Sequence, residues 1–383
     1  MGNSTANSTL PNQRYAFVDI AKGFAIIAVV LWHINFASNF NDIFPLKTIL
    51  GGGWHVPAFF IISGFFLKEE RLLTPFNFAK SKIKTIYLWT IAIYIPAILM
   101  HNIFFKIGFY ASEPNLGYSQ ALQPYTSIDF IKKIIEALLF AGREPIVSPL
   151  WFAYVLCLAL IGYSVITFFS QKIWKDKYPL ARACICLFLS TASSVLSNHF
   201  DCTLNRFSNT LVVLSLLCCG QYLFQIKKIK FDSIPVFLCA LILSWQNFLF
   251  NGNILLNDNK FHDLFHVAIG STCALYVICF LSKKIERTLL GKGIQIVGKK
   301  SFYIMGLHLL AFKAVTCILH KTDESVNLAR LTPLTDNNAL LIAIYLIAGV
   351  GLPVIFAYLW ESLYHKAASI IKANFCKRNS PLS

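Results

Sequence analysis

Stretches of predominantly apolar residues recur along this chain, and most approach the twenty or so residues that a helix needs to cross the hydrocarbon core of a bilayer. They fall at about 15–37, 54–67, 83–105, 149–169, 180–196, 207–225, 234–250, 264–281, 301–319 and 339–360. One such stretch at the start would suit a removable signal, but repetition along the whole length does not. The expected fold is therefore all-α: a polytopic integral membrane protein with about ten transmembrane helices. Composition agrees, with 56% hydrophobic and only 14% charged residues, against about a quarter charged in an average soluble domain.

The opening MGNSTANSTL carries neither a basic n-region nor an apolar core, so no cleaved signal is expected. Ala6 stands where a myristoylation signal wants Ser or Thr. Asn3 and Asn7, both in N-x-Thr contexts, read as part of a disordered tail. A net charge of +16 would point to nucleic acid in a soluble protein, but here the basic residues lie between apolar runs and mark topology instead. Loops on one side carry 24 Lys and Arg and those on the other carry 9, which places both termini in the cytosol. No repeat or separately folding soluble segment is visible. Residues 15–365 read as one membrane domain, between a disordered cytosolic tail (1–14) and a basic cytosolic tail (366–383). The cysteines fall mostly inside the apolar runs without metal spacing, so no disulfide framework is expected. Within the long segment after the third run, SIDFIKKIIEALLF spaces Ile128, Ile131, Ile135 and Leu138 helically behind Ser127. This predicts an amphipathic helix on the outer surface, with Ser127 as its cap.

Ionisable groups at bilayer depth are costly and mark candidate sites. In the first run, Lys22 and His33 are eleven residues apart, so they lie within about 20° of one helix face and about 16 Å apart. Asp19 adds an i,i+3 partner for Lys22. The competing reading has Lys22 snorkelling to headgroups and His33 packing on a polar neighbour. Ser301 and His308 share nearly one face of the ninth run, below Lys299 and Lys300, whereas Lys313 falls off that face. WHVPAFFIISGF offers His55 and the pair Ser63-Gly64, the latter also compatible with plain helix packing. Trp151 opens the fourth run, where an interfacial belt residue would also stand. His262 and His266 have the spacing of a zinc pair, but Asp263 occupies the place of the catalytic Glu, and no metal is expected. Gly-rich phosphate loops, GxSxG elbows and soluble triads are not visible.

In RYAFVDIAKGFAIIAVVLWH, WHVPAFFIISGF, EALLFAGREPIVSPLWF and GKKSFYIMGLH, taken in that order, the chain resembles the membrane-bound acyltransferase-3 family, integral membrane enzymes that acylate bacterial surface glycans and other extracytoplasmic acceptors. The family's basic residue, ten residues and histidine fall on Lys22 and His33. Lys22 stands where Arg is frequent, and keeps the charge without the bidentate fork. Lys80, Lys82 and Lys84 replace arginines before the third helix, and the proline that commonly follows them is missing.

The resemblance implies acyl-CoA as donor, with acetyl the commonest group, and no permanently bound cofactor. It also implies a surface polysaccharide or lipid-linked glycan as acceptor, a bacterial cytoplasmic (inner) membrane as location, and no nucleic-acid partner. On this reading Lys22, Lys80, Lys82, Lys84, Lys300 and Ser301 hold the donor, and Ser63, Trp151 and Asp19 the acceptor. His33, His55 and His308 are the catalytic candidates. His33 would act as general base or accept the acyl group itself. A transporter or flippase is the main alternative, disfavoured by the missing inverted repeat. The topology is open to test by impermeant labelling of engineered cysteines in intact cells: a cysteine at Asn115 should react and one at Asn379 should not. The reverse pattern would overturn the orientation.

Overall fold

The computed structural model describes residues 15–35, 53–113, 116–118, 121–200, 202, 204, 206–226, 230–335 and 338–379. The N-terminal tail before residue 15 and Asn115 lie outside the described residues. Helices in chain order are α1 (Ala16–Asn35), α2 (His55–Phe65), α3 (Glu69–Leu72), α4 (Pro75–Lys82) and, after a π-helical turn at Ile83–Tyr87, α5 (Leu88–Leu99). There follow α6 (His101–Lys106), α7 (Ser127–Leu138), α8 (Trp151–Trp174), α9 (Tyr178–His199) and α10 (Arg206–Cys219), which continues as a π-helix over Gly220–Ile226. The last are α11 (Ile234–Asn251), α12 (Leu264–Ile285), α13 (Leu289–Lys299), α14 (Ser301–Thr322) and α15 (Ala339–Asn379). Among the described residues there is no strand, only a lone bridge between Leu255 and Lys260.

Each of the ten apolar runs carries helix, but seven helical stretches among the described residues are long and apolar enough to span a membrane. One of these, Pro145–His199, covers 55 residues and folds back on itself, because Lys175 takes a left-handed φ of 43° between α8 and α9. The second run holds only the 11 residues of α2, about 16 Å of helix. The third run begins earlier than its apolar signal: Pro75 at the first turn of α4 starts the helix, which bends through the π-turn instead of at a proline after the lysines.

The centre of the bundle is α1, where Ile20, Ala21, Ala25, Ile26, Ala28, Val29 and Val30 are almost wholly buried. It touches α2, α12, α13, α14 and α15. Helix α13, absent from the apolar runs, crosses α1 backbone to backbone. A Cβ at Gly298 would stand 1.7 Å from the Asp19 carbonyl oxygen, and one at Gly23 would stand 2.3 Å from that of Ile294.

Helix α7 forms as its spacing requires, but Thr126, not Ser127, is its cap, in a capping box with Asp129. The Thr126 hydroxyl and backbone N–H both donate to that exposed carboxylate and hold its pKa below the usual range. The helix does not lie across the bundle end. Asn102, just beyond α5, exchanges two hydrogen bonds with the Tyr125 backbone at the start of α7. At its other end Tyr87, just before α5, donates to the Leu138 carbonyl at 2.7 Å, and Tyr154 of α8 donates to that of Ala137 at 2.8 Å. Helix α7 thus runs the length of α5, presenting Ile128, Ile131 and Ile135 outward.

The crossing of α1 and α13 predicts a contrast within one helix. Gly298→Val should lower stability by about 1–3 kcal/mol through overpacking, whereas Gly293→Ala, whose Cβ meets nothing within 4 Å, should be neutral or gain up to about 1 kcal/mol of helix propensity. Thermal unfolding of the detergent-solubilised protein decides between them, and equal effects would remove the crossing as a constraint.

Candidate functional site

Because α1 places Lys22 and His33 on one face, the remaining helices decide what each meets. At one end the Lys22 ammonium is 3.4 Å from an Asp19 carboxylate oxygen and 5.2 Å from the centre of the Phe66 ring. Asp19 itself is buried. At the other end the His33 ring is 4.8 Å, centre to centre, from the ring of His308 on α14, tilted by 59°. His55 on α2 lies against Trp32, the residue before His33, at 5.9 Å and against Trp54 at 6.1 Å.

Backbone carbonyls fix the chemistry of two of these rings. His33 Nδ1 lies 2.8 Å from the Val29 carbonyl, and His308 Nδ1 2.8 Å from that of Ile304. A carbonyl can only accept, so each Nδ1 carries the proton and each neutral ring keeps its lone pair on Nε2. His308 is fully buried, and its Nε2 has no hydrogen-bond partner; His55 is buried with Nδ1 in the same condition. Two basic nitrogens in adjacent rings, one of them on a fully buried ring, suit proton transfer or nucleophilic attack.

The other sequence-derived residues are dispersed. Lys300 is buried, paired with Glu361 and set over the Tyr358 ring at 4.4 Å, with Ser301 opening α14 beside it. Lys80 and Lys84 are exposed, and Lys82 covers Phe78 of its own helix at 4.9 Å. The Ser63 hydroxyl donates to the Phe59 carbonyl one turn back, at 2.7 Å. Trp151 is buried beneath the Arg206 guanidinium, 5.4 Å from it. His262 and His266 form a helix start: Asp263 caps α12 by accepting from the His266 N–H at 2.7 Å, and the His266 ring accepts from the His262 N–H at 3.2 Å.

Sequence reasoning missed three buried polar assemblies. His101 donates from Nδ1 to Glu144 at 3.0 Å and lies with Nε2 3.0 Å from the Gln123 carbonyl, while Tyr110 and Tyr125 both donate to the same carboxylate. Burial, then the neighbouring Glu144 charge, pushes both phenols above their usual range. Arg182 grips Glu69 with two nitrogens at 2.9 Å, and Gln221 and Tyr163 extend that network. Lys313 is held by the carbonyls of Phe109, Leu328 and Arg330 at 3.0, 2.6 and 2.7 Å. A cue was present in one case, since Lys313 is a charge flanked by apolar residues, Phe312 and Ala314. His101 and Glu144 are 43 residues apart, and nothing in the sequence pairs them.

Apolar helices of this length around a buried histidine centre define an integral, multi-pass membrane protein. Residues 15–358 match the acyltransferase domain of the acyltransferase 3 family, and the chain belongs to that family. It is thus a membrane acyltransferase. No curated protein and no solved structure matches it significantly.

Removing the Glu144 carboxylate leaves His101, Tyr110 and Tyr125 without their shared acceptor. Glu144→Ala should therefore cost about 3–5 kcal/mol of stability, seen as a large fall in the unfolding temperature. A change within error would show that the cluster does not hold the 101–150 segment.

Proposed function

We propose that this protein moves an acyl group, most simply acetyl, from cytosolic acyl-CoA to a hydroxyl of an extracytoplasmic or lipid-linked glycan, in a bacterial cytoplasmic membrane. The observation that carries the reading is the ring contact between His33 and His308 at the far end of the helix that bears Lys22. Lys22, with the nearby lysines at its end of the bundle, attracts the phosphates of the donor. The pantetheine arm extends along α1 over the roughly 16 Å that separate Lys22 from His33 and delivers the thioester to the histidines.

His33 Nε2 takes the proton of the acceptor hydroxyl as its oxygen attacks the thioester carbonyl carbon. The C–O bond forms, the C–S bond breaks, and the departing thiolate collects the proton, leaving the ester and free CoA. His308, in ring contact with His33, supports the relay of that proton. A transient acyl-histidine would use the same lone pair and is distinguished by trapping with hydroxylamine.

Purified protein given labelled acetyl-CoA and lipid-linked glycan should transfer label. His33→Ala should reduce turnover per folded molecule at least 10²-fold, within the usual 10²- to 10⁴-fold range for a general base, with His266→Ala beside it near wild type. Lys22→Ala should lose a charge-assisted contact of about 1.5–3 kcal/mol, raising the acyl-CoA KM by roughly 10- to 150-fold. Near-normal turnover in His33→Ala would defeat the mechanism, and an unchanged donor KM would remove Lys22 from the donor site.

A further inference from the structure

Arg206 is the first residue of α10. Its guanidinium is 5.4 Å from the centre of the Trp151 ring, and its Nη1 donates to the Asn257 side-chain oxygen at 2.8 Å. The Asn257 amide nitrogen donates in turn to Asp258 at 2.9 Å, which fixes the direction of that amide. The opposite edge of the guanidinium is different. Nε is buried without any hydrogen-bond partner, and among the described residues no carboxylate forms an ion pair with Arg206. An arginine presents five donors in a rigid fork, and the edge made by Nε and Nη2 grips a carboxylate or phosphate with two parallel bonds. Leaving a buried donor of a cation unmatched is costly, so a partner from outside the chain is the economical explanation.

The location is informative. A Cβ at Gly53, two residues before His55, would stand 2.1 Å from the Ile254 carbonyl oxygen. Three residues further along that same loop is Asn257, the partner of Arg206, and Asn209 of α10 donates to the adjoining Leu256 carbonyl at 2.6 Å. One loop therefore ties the start of α10 to the start of α2, at the end of the bundle where His55 meets Trp32, the neighbour of His33. The Trp151 ring continues through Phe152 to Phe59 and Phe60 of α2. Arg206 thus lies at the histidine end, opposite Lys22.

We infer that Arg206, oriented by Trp151 and Asn257, is a specificity residue that binds an oxyanion on the acceptor, so that the acceptor is an acidic or phosphorylated glycan. This rests on the acyl transfer proposed above for its meaning, but not for its test. The shared chemistry is a carboxylate of an acidic sugar or a phosphate of the carrier linkage.

The test uses the wild-type protein in phosphatidylcholine nanodiscs, with D-glucuronate, glucose 1-phosphate and neutral methyl glucoside as probes and no acyl donor. Phenylglyoxal modification of Arg206, read by mass spectrometry, should be slowed by at least one of the anions and not by methyl glucoside at equal concentration. The more protective anion names the source. Thermal-shift titration should show anion binding weakened about 10-fold or more in Arg206→Gln and less in Arg206→Lys, which keeps the charge without the fork. A single cooperative thermal transition close to that of the wild type in both variants reports that they are folded. Equal protection by methyl glucoside, no protection by either anion, or undiminished anion binding in Arg206→Gln would overturn the inference, whatever the outcome at His33.

Discussion

Everything in this structure is arranged around one helix that is buried along most of its length. Helix α1 is enclosed because small residues let its neighbours approach: Ala21, Ala25 and Ala28 are buried, and Gly23 and Gly298 allow α13 to cross it at backbone contact. In a bilayer, where lipid tails are as apolar as leucine, close packing of this kind supplies much of the attraction between helices. The same enclosure gives α1 its chemistry. The face that carries Lys22 and His33 is turned into the bundle, where the cation meets Asp19 and the imidazole meets His308.

The two ends of α1 differ in a way that suits a reaction with two unlike substrates. Around Lys22 the groups are charged and partly exposed, and several lysines stand on the adjoining helices. Around His33 they are aromatic and imidazole rings with few partners, and the hydrogen bonds that do exist, from Nδ1 to the preceding turn, leave the Nε2 atoms uncommitted. Secondary structure contributes directly: both carbonyl acceptors belong to the helix that carries the histidine, so the tautomer is set locally and does not depend on a distant residue.

Much of the architecture was legible because a bilayer demands long apolar helices, and such helices announce themselves in sequence. His33 and Lys22 stood out as candidates for a related reason, since an ionisable residue in an apolar run has few innocent explanations. What was hidden depends on contacts between remote segments. The meeting of His33 with His308 joins helices far apart in the chain, and the His101–Glu144 cluster joins two segments that neither period nor motif relates. Helix α13 escaped notice because GKGIQIVG, with three glycines, has poor helix propensity and is held by its crossing of α1. The direction of α7 was misjudged because its amphipathic face is equally compatible with lying on a membrane and with standing beside a span. The hydrogen bonds of Asn102 at one end and of Tyr87 and Tyr154 at the other distinguish the two.

Lys313 shows a different economy. Its ammonium gathers three backbone carbonyls, those of Phe109, Leu328 and Arg330, and none of the side chains at those positions supplies an acceptor. Apart from the Phe109 ring, which lies 5.6 Å from the ammonium, a junction built this way asks only that the backbone pass within reach. The carbonyls of Leu328 and Arg330 hold their loop by its shape and not by its side chains there, so those two positions can change without disturbing the helix that carries His308.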